Sequence, residues 1–198
     1  GMKLIHEDAL WLVLDKVPGW LTVPGRKGAE DPRPCLRTHA EAEYGPVWVV
    51  HRLDEPVSGL VIFARTADAH RIANMAFESR GVRKTYHAQT QGSAPGKTQI
   101  SFRDSLRKGK KRSFRAPHGK QALTESMCKG GGEGAPLNWV LKPQTSRAHQ
   151  LRVQLSLRGW PIMGDTLYGA EPTQEPGIAL RAVALEGPFG AYSASGLF

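Results

Sequence analysis

Short apolar segments alternate with turn-forming residues along the chain, a pattern typical of strands joined by tight connections. Residues 10–14 (LWLVL) are followed at 15–19 by DKVPG, which predicts a buried strand and then a turn. Residues 47–50 (VWVV) predict a second strand and residues 60–64 (LVIFA) a third. Because the third segment is apolar throughout, we expect it in the centre of a sheet.

A helix is predicted over residues 67–80, where apolar residues recur at helical spacing. Thr66 has a side chain suited to an N-cap, Asp68 lies in the first turn, and Arg80 lies in the last turn before Gly81. Ala69, Ile72, Ala73 and Ala76 share one face of this helix at helical spacing.

Strands dominate the second half of the chain. Residues 83–90 predict a strand, and strands at 121–128 and 137–142 flank a glycine-rich tip at 129–136. Residues 148–158 fit the alternation of a strand and the spacing of a helix. We prefer the helix, because its residues favour that state and the Gly-Trp-Pro sequence that follows is a strong helix stop.

This order of elements predicts the fold class. Strands outnumber helices and are separated by short turns, which indicates an α+β fold with a mixed, largely antiparallel central sheet flanked by helices. No internal repeat or clear linker is visible in the 198 residues, so we expect a single domain over residues 1–198.

Charge changes this picture, because the chain has a net charge of +9 and a pI of about 9.8. Residues 103–115 contain seven cations and one anion. Such a run is often only a solvated, flexible loop. In a chain this basic, with Phe114 interleaved, we expect a loop that contacts the phosphates of a nucleic acid. The candidate contacts are Arg107, Lys108, Lys110, Lys111 and Arg112.

Other classes of protein are disfavoured by the composition. No apolar run approaches the roughly 20 residues of a membrane span, and the N-terminus does not resemble a secretory signal. The two cysteines, Cys35 and Cys128, are far apart and are expected to be reduced thiols in a cytoplasmic protein. The scattered histidines form no metal-ligand spacing, so we expect no metal.

Three clusters carry candidate chemistry. The first is the acidic and basic turn at residues 51–60, the second is residues 84–86 (KTY), and the third is residues 145–152. Taken singly, each has an ordinary explanation: a surface pair of Arg52 and Asp54, a packed Tyr86, and a capped amphipathic helix.

Taken together, the clusters resemble a known family. HRLD with SGL at residues 51–60 resembles the HRLDxxTSG motif of the RluA-like pseudouridine synthases. KTYHA at 84–88, RAHQLRV at 147–153 and PIMGDTLYG at 161–169 resemble the family's KxYxA, GRTHQIRVHL and PIxGDxxYG segments, in family order. The resemblance covers nearly the whole chain, and four motifs in register are highly specific.

The resemblance implies roles for individual residues. It makes Asp54 the catalytic nucleophile and Arg152 the basic residue that pairs with it. It makes Tyr86 the active-site tyrosine that packs on the target base, and Arg52 the residue that fills the gap left by a flipped nucleotide. Further residues expected to contact RNA are His51, Arg147, His149 and Gln150.

The implied reaction detaches uracil from its ribose, rotates the base and rejoins it through carbon. No atoms enter or leave and no redox change occurs, so no cofactor is expected. Either attack of Asp54 on the base or assistance of elimination at the sugar satisfies this scheme. The expected partner is transfer RNA, ribosomal RNA or both, and the expected oligomeric state is a monomer. The active-site cleft is expected to lie across the sheet, with no separate N-terminal RNA-binding domain of the S4 type.

Four positions depart from the family pattern. Val57 replaces a threonine, Ser146 replaces a glycine, and Gln154 and Arg181 stand where histidine is common. Val57 removes a hydroxyl that could support the turn, and Ser146 would be strained if its position required a positive φ.

Two alternative functions remain. A protein on the same fold that binds or chaperones RNA without catalysis would also be basic. A glycoside hydrolase could use an aspartate nucleophile, but such enzymes usually pair two carboxylates, and basic charge suits RNA better than neutral sugars.

Overall fold

The structure is a computed structural model that describes residues 2–198. Its elements, numbered in chain order, are β1 (Lys3–Glu7), β2 (Trp11–Lys16), α1 (Leu36–Tyr44), β3 (Trp48–Val49), β4 (Ser58–Ala64), α2 (Ala67–Glu78), β5 (Arg83–Thr90), β6 (Gln99–Lys108), β7 (Ser113–Arg115), β8 (Lys120–Gly130), β9 (Leu137–Pro143), α3 (Gln150–Leu157), β10 (Leu180–Gly187) and β11 (Gly190–Ser193).

The chain divides into two compact units. The first contains the described residues up to Arg83 together with Ala182–Ser195, and the second contains Lys84–Arg181 with Gly196–Phe198. Whether the whole chain acts as one catalytic domain stays a prediction.

In the first unit, the strand order is β1-β2-β4-β10, with β3 paired to β4 and β11 paired to β10. β4 lies between neighbours and all but its first residue are buried, which confirms the central strand expected from residues 60–64. Its Gly59 has a φ of 119°, and a Cβ there would lie 2.2 Å from the Ala182 carbonyl oxygen. Only glycine allows this close approach of β4 to β10.

The helix α2 begins as predicted, because the Thr66 hydroxyl accepts a hydrogen bond from the Ala69 amide. Ala69 and Ala73 are buried against the core. Ile72 of the same helix is 41% exposed, so the buried part of the helix is formed by its alanines. The helix also ends at Glu78, and Arg80, expected in its last turn, lies beyond it with a φ of 60°.

In the second unit, the strand order is β5-β9-β8-β6-β7. The predicted strands at 83–90, 121–128 and 137–142 are confirmed as β5, β8 and β9, and α3 confirms the helix assigned to 148–158. The basic run at 103–115 is not a loop, which corrects our expectation: β6 and β7 form an antiparallel hairpin there. The alternation of exposed cations with buried Leu106 and Ser113 is the strand pattern that the density of charge concealed.

The α+β class with a mixed, mostly antiparallel sheet is confirmed. The strand pairings described within each unit are antiparallel, whereas an isolated bridge between Leu21 and Cys35 is parallel. The helix α1 was missed, because only Leu36 and Ala40 of its nine residues are buried and its apolar period is therefore weak.

Candidate active site and RNA-contacting surface

Asp54 lies on the turn between β3 and β4 that the sequence identified. The Val57 amide donates to the Asp54 carbonyl oxygen at 2.9 Å and closes the turn. Leu53 and Val57 are 6% and 2% exposed, so both anchor the turn in the core. Between them the Asp54 side chain is half-buried, and Arg52 beside it is exposed. The turn therefore presents the Asp54 carboxylate and the Arg52 guanidinium from an anchored backbone.

A buried lysine, which was not predicted from the sequence, supports this turn through hydrogen bonds to backbone carbonyl oxygens. Lys16, at the end of β2, is fully buried, and its Nζ donates to the carbonyl oxygens of Val17, Trp20 and Glu55 at 3.2, 2.7 and 3.0 Å. Burial lowers the pKa of Lys16 to about 8, while the nearby charges of Glu55 and Asp54 act in the opposite direction. Lys16 thus supplies both hydrogen bonds and positive charge to the segment that carries Asp54.

Thr22 gives the turn a second support. Its hydroxyl donates to the Leu53 carbonyl oxygen at 3.1 Å and accepts from the Leu53 amide at 3.2 Å. A buried hydroxyl therefore satisfies both backbone groups of the residue before Asp54. This explains how the turn tolerates Val57, since support comes from Thr22 and from apolar burial of Val57 itself.

His51 belongs to the support of this segment. Its Nε2 accepts from the Ile62 amide at 2.9 Å, and its ring stacks on Phe77 at a centroid distance of 5.0 Å. An Nε2 that accepts from an amide carries no proton, so this geometry favours the neutral imidazole.

In the second unit, Arg152 forms a buried ion pair. Its Nε and Nη2 donate to the two carboxylate oxygens of Asp165, each at 2.8 Å. The two side chains are 5% and 1% exposed, and the fork geometry fixes the plane of the guanidinium. Asp165 belongs to the PIMGDTLYG segment and was not singled out as a site residue. The expected pairing of Arg152 with Asp54 stays a prediction.

Tyr168 joins this ion pair to the basic hairpin. Its hydroxyl accepts from the Ser113 amide at 2.8 Å and shares a hydrogen bond of 2.6 Å with His149 Nδ1. The guanidinium groups of Arg112 and Arg152 lie 4.8 and 5.2 Å from the centre of its ring. Burial raises the pKa of Tyr168, so its hydroxyl stays protonated near neutral pH.

Gln150 is buried and bonded internally at both ends of its amide. Its Oε1 accepts from the Thr145 hydroxyl and the Arg147 amide, and its Nε2 donates to the Leu123 carbonyl oxygen and the Thr124 hydroxyl. These bonds shape the loop that precedes α3. Arg147 on that loop is half-buried and donates from Nε to the Gln121 carbonyl oxygen at 2.7 Å.

The departures at Ser146 and Gln154 are explained by this surrounding structure. Among residues 2–198, the non-glycine residues with a positive φ are Arg80 and His149. Ser146 therefore does not have the backbone strain that a positive φ would cause. Its hydroxyl accepts from Lys84 Nζ, and burial lowers the pKa of Lys84 to about 8. Gln154 is fully buried and binds the Thr124 hydroxyl and the Asp104 carboxylate.

Tyr86 and the hairpin cations remain accessible. Tyr86 lies half-buried on β5, opposite Leu141 of β9. At the hairpin the Gly109 amide donates to the Arg112 carbonyl oxygen, and the candidate cations Arg107, Lys108, Lys110, Lys111 and Arg112 are all exposed. Arg115 instead pairs with buried Asp104 at 2.9 Å.

Residues 2–198 contain no cluster of three or more His, Cys, Asp or Glu side chains placed to hold a metal ion. None of their helices is long and apolar enough to cross a membrane. Cys35 and Cys128 are free thiols.

Comparison with known proteins identifies the family. Residues 10–157 match the sequence profile described as RNA pseudouridylate synthase. The chain belongs to this family. The synthase is 31% identical over 202 residues to the dual-specificity RNA pseudouridine synthase RluA of Escherichia coli strain K12, an alignment that covers 100% of this chain and 91% of the relative. It is 28% identical over 191 residues to tRNA pseudouridine synthase C of Yersinia pestis, which covers 90% and 74% of the two chains.

Solved structures agree on the fold of the synthase. Human RNA pseudouridylate synthase domain containing 1 aligns with a TM-score of 0.80 at 21% identity, over 100% of this chain and 84% of that one. The predicted identity as an RNA pseudouridine synthase, an isomerase, is therefore confirmed. The alternative of an RNA-binding protein without activity finds no support in relatives that are named as synthases.

Proposed function

We propose that this synthase isomerises specific uridines in transfer RNA, ribosomal RNA or both, with Asp54 as the nucleophile and the target base flipped out of its stack. The observation that carries the proposal is the anchored turn, which holds a half-buried carboxylate between two core residues, Leu53 and Val57. The substrate classes are drawn from relatives named as a dual-specificity RNA synthase and a tRNA synthase.

The chemistry needs an ionised carboxylate at a fixed position. The bond between uracil N1 and the ribose C1′ breaks, the base turns, and C5 forms the new bond to C1′ while its hydrogen leaves to solvent and N1 gains one. Asp54 provides either a covalent partner for the base or assistance to elimination at the sugar. Lys16 is a positioning residue in this scheme, since it binds the backbone of the turn and attracts the carboxylate.

Base flipping requires something to offset the lost stacking, which costs a few kcal/mol. Arg52 is exposed next to Asp54, so its guanidinium is available to enter the vacancy in the RNA stack. Tyr86 offers a half-buried ring on which the extruded base can stack. We assign Arg152 to positioning within the catalytic machinery, with its plane set by Asp165.

The remaining candidates divide by exposure. We assign His51, His149 and Gln150 to support of their loops, because each has a hydrogen bond to a neighbouring group inside the protein. The exposed hairpin cations are assigned to the RNA backbone. Half-buried Arg147 is assigned there as well, because its bond to the Gln121 carbonyl oxygen uses Nε and not the terminal nitrogens of its guanidinium. A cytoplasmic location, a monomeric state and the absence of cofactor and metal stay predictions.

The test begins by mapping pseudouridines in total RNA from cells with and without the gene. A site lost without the gene defines a substrate, which is transcribed and treated with wild-type protein and with Asp54→Asn. We expect Asp54→Asn to lose pseudouridine formation by at least about 1,000-fold, because an amide is a poor nucleophile. Its Kd for the RNA should stay within about threefold, since no phosphate contact is removed.

A matched control is Asp15→Asn, which alters an acid on β2, outside the Asp54 turn. Residual activity of Asp54→Asn within tenfold of wild type would rule out Asp54 as the nucleophile.

A further inference from the structure

A basic cavity lies beside the hairpin in the second unit. Its volume is about 360 Å³, and four segments line it: the end of β6, Ser113 at the start of β7, the turn into β8, and the loop before α3. Its wall carries the charged and hydroxyl side chains of Arg107, Lys108, His118, Lys120, Ser146 and Arg147. His118, Lys120 and Ser146 were not among the site residues predicted from the sequence. His118 and Lys120 lie outside the basic run at 103–115, and Ser146 was noted only as a departure from the family pattern.

The cavity contains positive charge without a compensating acid. Four of its lining residues are lysine or arginine, and its described lining contains no aspartate or glutamate. Arg107, Lys108 and Lys120 are exposed, so their charges are accessible to a ligand. Such a concentration of one sign in a concave surface raises the local potential and attracts anions.

Strand pairing, close backbone packing and a hydrogen bond hold the wall of the cavity in place. Lys120 pairs in register with Leu106 across β8 and β6. A Cβ on neighbouring Gly119 would lie 2.6 Å from the Leu106 backbone, so a larger residue would push the two strands apart. The Ser113 hydroxyl donates to the Ala148 carbonyl oxygen at 2.7 Å and ties the hairpin to the loop before α3. These contacts hold the cations around one space.

Ser146 adds a hydroxyl to this space at a position where the family pattern has glycine. The hydroxyl accepts a hydrogen bond from Lys84 Nζ, which leaves its own hydrogen available to donate to a ligand. A serine hydroxyl beside guanidinium and ammonium groups is a donor set that suits a phosphate oxygen.

We propose that this cavity binds one backbone phosphate of the substrate RNA, on a nucleotide outside the one that is isomerised. The proposal deepens the proposed function and rests on it for the identity of the ligand as RNA. A phosphodiester fits the site because it combines a single negative charge with oxygens that accept from Lys120, Arg147 and the Ser146 hydroxyl. Lys120 and Ser146 then help to set the register of the RNA on the protein.

The experiment neutralises the phosphate and the lysine separately and together. The probe is a synthetic RNA stem–loop with a uridine in its loop, prepared as a series in which a single neutral methylphosphonate replaces each phosphate in turn. Binding is measured in the Asp54→Asn background, so that the RNA is not converted, with and without Lys120→Gln. Every protein is first checked for an unchanged melting temperature.

One position in the series should show coupling. There, the methylphosphonate and Lys120→Gln should each weaken Kd several-fold, and the two together should weaken it no more than either alone. Lys120→Gln should also lower the slope of log K against log salt by about 0.7–0.9, as expected for one lost phosphate contact. Ser146→Ala should weaken binding to a smaller extent and lose its effect at that same position.

Lys142→Gln is the matched control, because Lys142 is an exposed lysine on β9 that does not line the cavity. Independent effects of Lys120→Gln and the methylphosphonate at every position would overturn the phosphate site. An equal loss of affinity in Lys142→Gln would also overturn it, since only overall charge would then matter. Because these readouts are binding constants, they are separate from the activity loss that tests Asp54 as nucleophile.

Discussion

The Asp54 turn (residues 51–57) and the basic hairpin formed by β6 and β7 both carry charged side chains, but they are stabilised differently. The turn is held by buried neighbours, with Lys16 fully buried and Thr22 3% exposed. The hairpin keeps its cations in solvent and is anchored through a few buried groups, above all Ser113 and Tyr168.

This difference follows from what each region is proposed to do. A nucleophile must stay within a fraction of an ångström of its productive position, and buried hydrogen bonds restrict the backbone that carries it. Phosphate contacts gain affinity from charge and counterion release, which tolerate mobile side chains. Fixed support should therefore govern turnover and stability, whereas exposed charge should govern binding and its salt dependence.

The largest effect is expected from Lys16→Met. The substitution leaves the carbonyl oxygens of Val17, Trp20 and Glu55 without their buried donor. We expect the free energy of unfolding to fall by about 2 kcal/mol and turnover to fall at least tenfold, with a smaller change in RNA affinity. Urea denaturation and single-turnover kinetics measure both. Lys3→Met, at an exposed lysine of β1, is the control, and equal turnover in the two variants would contradict the role of Lys16.

Tyr168→Phe should have the next largest effect. It removes the hydroxyl that accepts from the Ser113 amide and bonds His149, and leaves a buried amide without its partner. We expect a loss of about 1–2 kcal/mol in the free energy of unfolding and faster hydrogen exchange of the Ser113 amide.

Tyr192→Phe serves as the comparison for Tyr168→Phe. It also removes a tyrosine hydroxyl that makes a partly buried hydrogen bond, in this case to the Phe189 carbonyl oxygen of the first unit. It should leave exchange at Ser113 unchanged. Unchanged exchange at Ser113 in Tyr168→Phe would show that the hairpin does not depend on this anchor.

A pH effect on stability should follow from Lys16. Its folded pKa of about 8 lies below the ordinary value of 10.5, so between these values the unfolded chain binds more protons. Stability should therefore rise with pH in this window, by about 2 kcal/mol more in wild type than in Lys16→Met between pH 7.5 and 9.5. Denaturation curves of wild type and Lys16→Met at both pH values give the difference between their two pH effects. Lys84, whose pKa is also lowered to about 8, contributes equally to both proteins and cancels in this difference. A difference of zero or of opposite sign would refute it.

The smallest effect on stability is expected from the double substitution Lys110→Gln and Lys111→Gln. Both side chains are exposed at the hairpin turn, so the free energy of unfolding should change by less than about 0.5 kcal/mol. The slope of log K against log salt for RNA binding should fall by about 1.5 if both contact phosphates. Lys27→Gln with Lys129→Gln removes the same charge elsewhere, and an equal change in slope there would contradict a specific role of the hairpin.

Much of the fold could be predicted from local patterns. The apolar run at 60–64 predicted the buried central strand, and Thr66 predicted the start of α2, because burial on both faces and helix capping each leave a signature within a few residues. The hairpin was mistaken for a loop because exposed cations hide the alternation of its strands, and α1 was missed because it buries only Leu36 and Ala40.

By itself, the sequence determined the family, the fold class and the position of Asp54 on a turn between two strands, because these are encoded in contiguous motifs. Only the tertiary structure showed that Lys16 binds the Glu55 carbonyl oxygen, 39 residues away, and that Arg152 is fixed by Asp165. It also assembled the basic cavity from four separate segments. Such contacts depend on the path of the chain between distant residues, and no local period of hydrophobic positions reports that path.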